Sequence, residues 1–113
     1  MQGDLKVLIV DDHTIVRQGL KAILESHGGF TVVGEAENGR EAVKKAAELV
    51  PDIVLMDIAM PTLNGLEATR QIKRALPETK VLALTMYNDE EYVFQILKAG
   101  ASGYLIKETA VRS

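Results

Sequence analysis

Five short, nearly continuous apolar runs punctuate the chain: L-K-V-L-I-V (5–10), F-T-V-V-G-E-A (30–36), D-I-V-L-M (52–56), K-V-L-A-L-T (80–85) and S-G-Y-L-I-K (102–107). Their length and composition predict strands buried on both faces. Between them, apolar residues recur three or four positions apart: Val16, Leu20, Ile23 and Leu24; Ala42, Val43, Ala46, Ala47 and Val50; Leu66, Ile72 and Leu76; Val93, Ile96 and Leu97. Each set forms one stripe on an amphipathic helix. Gly28-Gly29, Pro51, Pro77 and Gly100 stand where these helices should end, while Asn64 and Asp89 occupy N-cap positions and Asn38-Gly39 predicts a turn and cap at the second helix.

Strand and helix alternate throughout, which predicts βαβ units and an α/β fold with helices on both faces of a parallel sheet. Five strands fit a flavodoxin-like, doubly wound order, 2-1-3-4-5. After Lys107 only E-T-A-V-R-S remains, room for little more than one turn of a final helix. The 113 residues are therefore expected to be one domain and an N-terminal piece of a longer protein, or to have the last helix supplied by a partner.

Charge adds exclusions. The formal net charge is -3 with both signs interspersed, so no basic stripe points to nucleic acid. The chain has no cysteine, hence no disulfide or thiolate metal site, and a cytoplasmic setting is expected. Neither a signal peptide nor an apolar run near the ~20 residues of a membrane span is present, so no membrane partner is expected.

Chemistry gathers at the predicted strand ends. The first ends in Asp11-Asp12, the third in Asp57, the fourth in Thr85 and the fifth in Lys107. In the 2-1-3-4-5 order, strands 1 and 3 flank the switch point where such sheets bind ligands, so three carboxylates should converge there. Singly, each residue reads as a helix cap, a β-branched strand residue or a solvated charge; together, at equivalent strand ends, they read as a site. Carboxylates ~4 Å apart repel by about 4 kcal/mol per pair at an effective dielectric near 20. One lysine leaves that repulsion undercompensated, and hard oxygen donors fit Mg²⁺ better than Zn²⁺. A divalent cation beside a carboxylate, a hydroxyl and an amine suits phosphoryl transfer, with Asp57 as the acceptor.

With these residues placed, the sequence resembles the receiver domain of bacterial two-component response regulators over essentially its whole length. The acidic pair is Asp11-Asp12, the acceptor is Asp57 in L-M-D-I-A-M-P, and the loop glycine is Gly65 in N-G-L-E. V-D-D-H-T-I-V-R-Q-G-L, L-T-M-Y and K-A-G-A-S-G-Y-L resemble the subfamily whose receivers precede a LuxR-type DNA-binding domain, which these residues do not include. The resemblance implies that Asp57 takes a phosphoryl group from a sensor histidine kinase. It implies that Asp12, Asp57 and the Ala59 carbonyl hold Mg²⁺, with Asp11 acting through a water, and that Lys107 pairs with the phosphoryl oxygens. Thr85 and Tyr104 would be the switch pair, and the surface around Tyr92, Val93, Ile96 and Tyr104 would report the change to a partner.

Departures shape further expectations. Glu108 follows Lys107 where many receivers have a cis proline, leaving the loop geometry open, since a cis bond before a non-proline residue costs about 2.5 to 4 kcal/mol. Ala59 and Met86 replace a polar and a small residue, and together are expected to slow loss of the phosphoryl group. His13 is expected near the first helix start, pointing away from the site, and His27 in that helix's last turn. Lys44-Lys45 and Lys73-Arg74 read as solvated helix faces, and Phe30, Tyr87 and Phe94 as packing, with Tyr87 close to the site entrance. An apolar surface left by a missing last helix predicts a homodimer or a swapped element.

Two other classes fit less well. A phosphatase of the haloacid dehalogenase type would want D-x-D after the first strand, and a nucleotide or flavin module a Gly- or Ser/Thr-rich phosphate loop there.

Overall fold

A computed structural model of the chain describes residues 4–57, 65–85 and 97–106, with the side chains of Thr85 and residues 104–106 outside that description. The elements run β1 (Leu5–Val10), α1 (Thr14–His27), β2 (Phe30–Ala36), α2 (Gly39–Leu49), β3 (Ile53–Asp57), α3 (Gly65–Ala75), β4 (Lys80–Thr85) and β5 (Gly103–Ile106). All strand pairs are parallel and the sheet order is β2-β1-β3-β4-β5, the doubly wound arrangement expected from the sequence. The predicted fourth helix lies outside the described residues apart from helical Leu97 and Lys98, as do the expected caps at Asn64 and Asp89 and the bond after Lys107.

The unbroken apolar runs follow from burial on two sides. Leu8 and Val10 of β1, with Val54 and Met56 of β3, pack under Ala42 and Ala46 of α2 and Ala68 and Ile72 of α3. Their alternates, Val7, Ile9 and Leu55, pack with Leu20 of α1, and Phe30 lines the same group as expected. Side chains alternate across a strand, so each face demands its own apolar residues and no polar position remains in the middle. Pairing between β1 and β2 slips once: Val7 faces Val32 but Leu8 faces Gly34, so β2 carries an extra residue, Val33. Gly34 is where the end of α2 comes down on the sheet, since a Cβ there would lie 2.7 Å from Leu49 Cδ1.

Helix ends follow local chemistry. Asn38 caps α2, its Oδ1 accepting the Glu41 N–H at 2.8 Å, while the Glu41 carboxylate reaches back to the Glu37 N–H at 2.9 Å. At its other end Val50 takes left-handed backbone, φ 45°, and its N–H reaches the Ala46 carbonyl. His27 is the last residue of α1, as expected. Two lysines read as solvated are instead tethered. Lys45 donates to the Glu35 carbonyl, and Lys73 to the carbonyls of Pro77 at 2.9 Å and Thr79 at 2.7 Å. Long side chains here bridge a helix to the loop or strand beside it, burying their stems on the way. No helix among the described residues is long and apolar enough to cross a membrane.

Candidate functional site

Register brings the first two acids together. Val10 of β1 pairs with Met56 of β3, so Asp11 and Asp57 come one step further along neighbouring strands. Each stands two residues beyond a member of the α1-side core, Ile9 and Leu55, so the alternation carries both carboxylates to the same side. Asp11 prolongs the ladder, its N–H donating to the Ala36 carbonyl at 3.0 Å. Asp11 is fully buried and Asp57 only 3% exposed, although both are ionisable. Asp12, the next residue, is partly open to solvent, its side chain 33% exposed.

His13 does not point away. Its N–H donates to Asp11 Oδ1 at 2.8 Å, and its ring Nδ1 lies 3.0 Å from that oxygen and 3.0 Å from Asp12 Oδ1. The amide contact is an Asx-type turn two residues long, and it folds the imidazole back over the acids instead of out along the helix start. One ligand atom from each of Asp11, Asp12, His13 and Asp57 lies within 4.8 Å of all the others. An octahedron with bonds of ~2.1 Å spaces its ligands about 3.0 to 4.2 Å apart, so small side-chain adjustments suffice for these groups to share one divalent cation. Three carboxylates supply hard donors and the negative charge such an ion offsets.

Behind the acids stands a residue that the sequence reading passed over. Arg17, 8% exposed, donates from Nη1 to the Asp11 carbonyl at 2.7 Å, from Nε to Glu35 Oε1 at 2.9 Å and from Nη2 to Thr14 Oγ1 at 3.2 Å. Glu37 stands 4.0 Å away. The signal was present: Arg17 sits between Val16 and Leu20 on the inward stripe of α1, where a charge is buried only if its donors are met.

The other expected residues are reached in part. Asp57 pairs with Leu84, so the backbone of Thr85, the last residue of β4, follows directly beside Asp57. Thr85 in turn faces Ile106 of β5, and Tyr104 faces Ala83. Ala59, Met86, Tyr87, Tyr92, Val93, Phe94, Ile96 and Lys107 lie outside the described residues.

The family model for the response regulator receiver domain matches residues 7–113. The transcriptional regulatory protein YdfI of Bacillus subtilis is 50% identical over 105 residues, covering 93% of this chain and 49% of its own length. The chain thus spans about half the length of the curated relatives it matches. Among solved structures, a LuxR-family two-component response regulator from Aurantimonas is 38% identical with a TM-score of 0.88, over 93% of this chain and 75% of that one. The CheX–CheY–BeF3–Mg²⁺ complex from Borrelia burgdorferi is 28% identical with a TM-score of 0.86, over 96% and 84%.

Proposed function

The chain belongs to the response regulator receiver domain family, and on that premise we propose that it works by accepting a phosphoryl group on Asp57 from a phosphohistidine of a sensor histidine kinase. The observation that carries this reading is the convergence of Asp57 with Asp11 and Asp12, their ligand atoms within 4.8 Å of one another. A carboxylate oxygen of Asp57 attacks phosphorus, the P–N bond breaks and its electron pair leaves with the imidazole nitrogen, giving an acyl phosphate.

Asp12, Asp57 and the Ala59 carbonyl would hold Mg²⁺, with Asp11 acting through a water; when bound, the ion supplies positive charge to the phosphoryl oxygens. The Borrelia neighbour, whose complex contains Mg²⁺ and BeF3, supports that choice of ion. Lys107 is assigned to a phosphoryl oxygen, Thr85 to a hydrogen bond with the bound group, and Tyr104 to the movement that follows Thr85. The added charge and acceptor oxygens then bias a two-state element that partners read. The domain catalyses only its own phosphorylation and dephosphorylation.

The wider reading draws on the relatives. A protein about twice as long, carrying a LuxR-type DNA-binding output domain and regulated through a homodimer in the cytoplasm, agrees with the transcriptional regulator names and the half-length match. Incubation with acetyl phosphate and Mg²⁺, followed by intact mass, tests the core of the proposal. Wild type should gain one phosphate and Asp57→Asn none; an equal gain in both would overturn it.

A further inference from the structure

We propose that His13 is a ligand-forming member of the acid cluster, and that it tunes the site toward divalent cations that accept nitrogen, such as Mn²⁺, over Mg²⁺. This rests on the reading of Asp11, Asp12 and Asp57 as a cation site and adds a residue to it. The geometry is specific. Nδ1 of His13 stands 3.0 Å from Asp11 Oδ1 and 3.0 Å from Asp12 Oδ1. That is about the edge of an octahedron built on ~2.1 Å bonds, so the ring nitrogen and Asp12 Oδ1 have the spacing of adjacent ligands on one ion. A single proton on Nδ1 serves both oxygens only as a weaker three-centre bond, whereas a cation beside the Asp12 edge takes the lone pairs of Nδ1 and Asp12 Oδ1, with Asp11 reached through a bound water.

The ring is held for this task. Asp11 Oδ1 is pinned by the His13 N–H at 2.8 Å, and the Asp11 carbonyl by Arg17 at 2.7 Å. His13 stands at the N-cap of α1, where no side-chain cap hydrogen bond draws its ring away from the acids. Mg²⁺ prefers oxygen and gives up its water reluctantly, while Mn²⁺ and the later first-row ions accept imidazole readily. Adding one nitrogen to an oxygen set therefore raises affinity unequally.

Competition titrations of the full chain with Mn²⁺ and Mg²⁺, read by the free-Mn²⁺ EPR signal, test the selectivity. Pulsed EPR of bound Mn²⁺ tests the ligand. Wild type should prefer Mn²⁺ by about tenfold or more and show a ¹⁴N coupling that changes on ¹⁵N-histidine labelling. His13→Ala should lose that coupling and about tenfold in Mn²⁺ affinity, with Mg²⁺ affinity changed less than about twofold. Should His13→Ala fail to fold, the coupling in labelled wild type decides by itself. Bound Mn²⁺ with no histidine coupling, or equal weakening of both ions in the variant, overturns the role of His13 while leaving phosphate gain at Asp57 intact. Failure of wild type to bind either ion or gain phosphate overturns the underlying reading instead.

Discussion

Arg17 of α1 and Asp11 at the tip of β1 are joined through the backbone: the guanidinium Nη1 donates to the Asp11 carbonyl at 2.7 Å. The same guanidinium holds Glu35 of β2 and Thr14, so one side chain ties two strand ends to the helix between them. Arg17→Ala should lower stability by about 2–3 kcal/mol in urea unfolding, chiefly through the lost donor to a buried carbonyl; the partly solvated Glu35 pair adds little. Arg17→Lys should restore less than half, because an ammonium cannot reproduce the planar fork. Divalent-cation affinity should fall in both variants, as the Asp11 turn loses its support.

Cation binding should appear as stability. Mg²⁺ at 100 times its dissociation constant should stabilise wild type by about 2.7 kcal/mol, and EDTA should reverse the gain. Thermal unfolding with and without Mg²⁺ measures it. In Asp12→Asn and Asp57→Asn the shift should shrink markedly, since each removes a charged donor from a cluster whose ligand atoms lie within 4.8 Å; undiminished shifts would place the ion elsewhere.

Val50 is a β-branched residue in left-handed backbone, φ 45° and ψ 62°, half exposed at the end of α2. Such a residue clashes with its own carbonyl, a penalty glycine escapes. Val50→Gly should stabilise the domain by about 0.5–1 kcal/mol after allowing for glycine's greater unfolded-state entropy, measured as a shift in denaturant midpoint at unchanged slope.

Among the described residues, the hydroxyl of Thr69, fully buried on α3, has no hydrogen-bond partner. Replacing it by a methyl group of nearly the same shape should remove a desolvation cost. Thr69→Val is expected to be neutral or stabilising by up to about 1 kcal/mol in the same assay. A clear loss of stability would mean that the hydroxyl is satisfied in solution.

Sequence alone carried the sheet a long way, for a physical reason. Strands covered on both faces must be apolar throughout, so they stood out as runs, and Asp11 and Asp57 stood out where those runs stopped. Asn38 was legible because a cap needs only its own helix. The direction of His13 was not, because two acids decide it: one folds back the backbone and the other receives the ring. Arg17 was missed because its partners, the Asp11 carbonyl and Glu35, are set by how β2 lies against β1. Lys45 and Lys73 looked solvated because carbonyl acceptors leave no mark on composition.

The register shift in β2 decides which way Glu35 looks. Val32 packs toward α1, yet Ala36, an even number of positions later, packs toward α2, so Val33 reverses the strand's phase midway. After the reversal Glu35 sits opposite Ile9, on the side where Arg17 waits. Were Val33 paired with Leu8 instead of bulged out, Glu35 would come opposite Val10, and its carboxylate would turn toward α2. Strand parity, reset two residues before Glu35, thus wires the outer strand to the tip of the inner one.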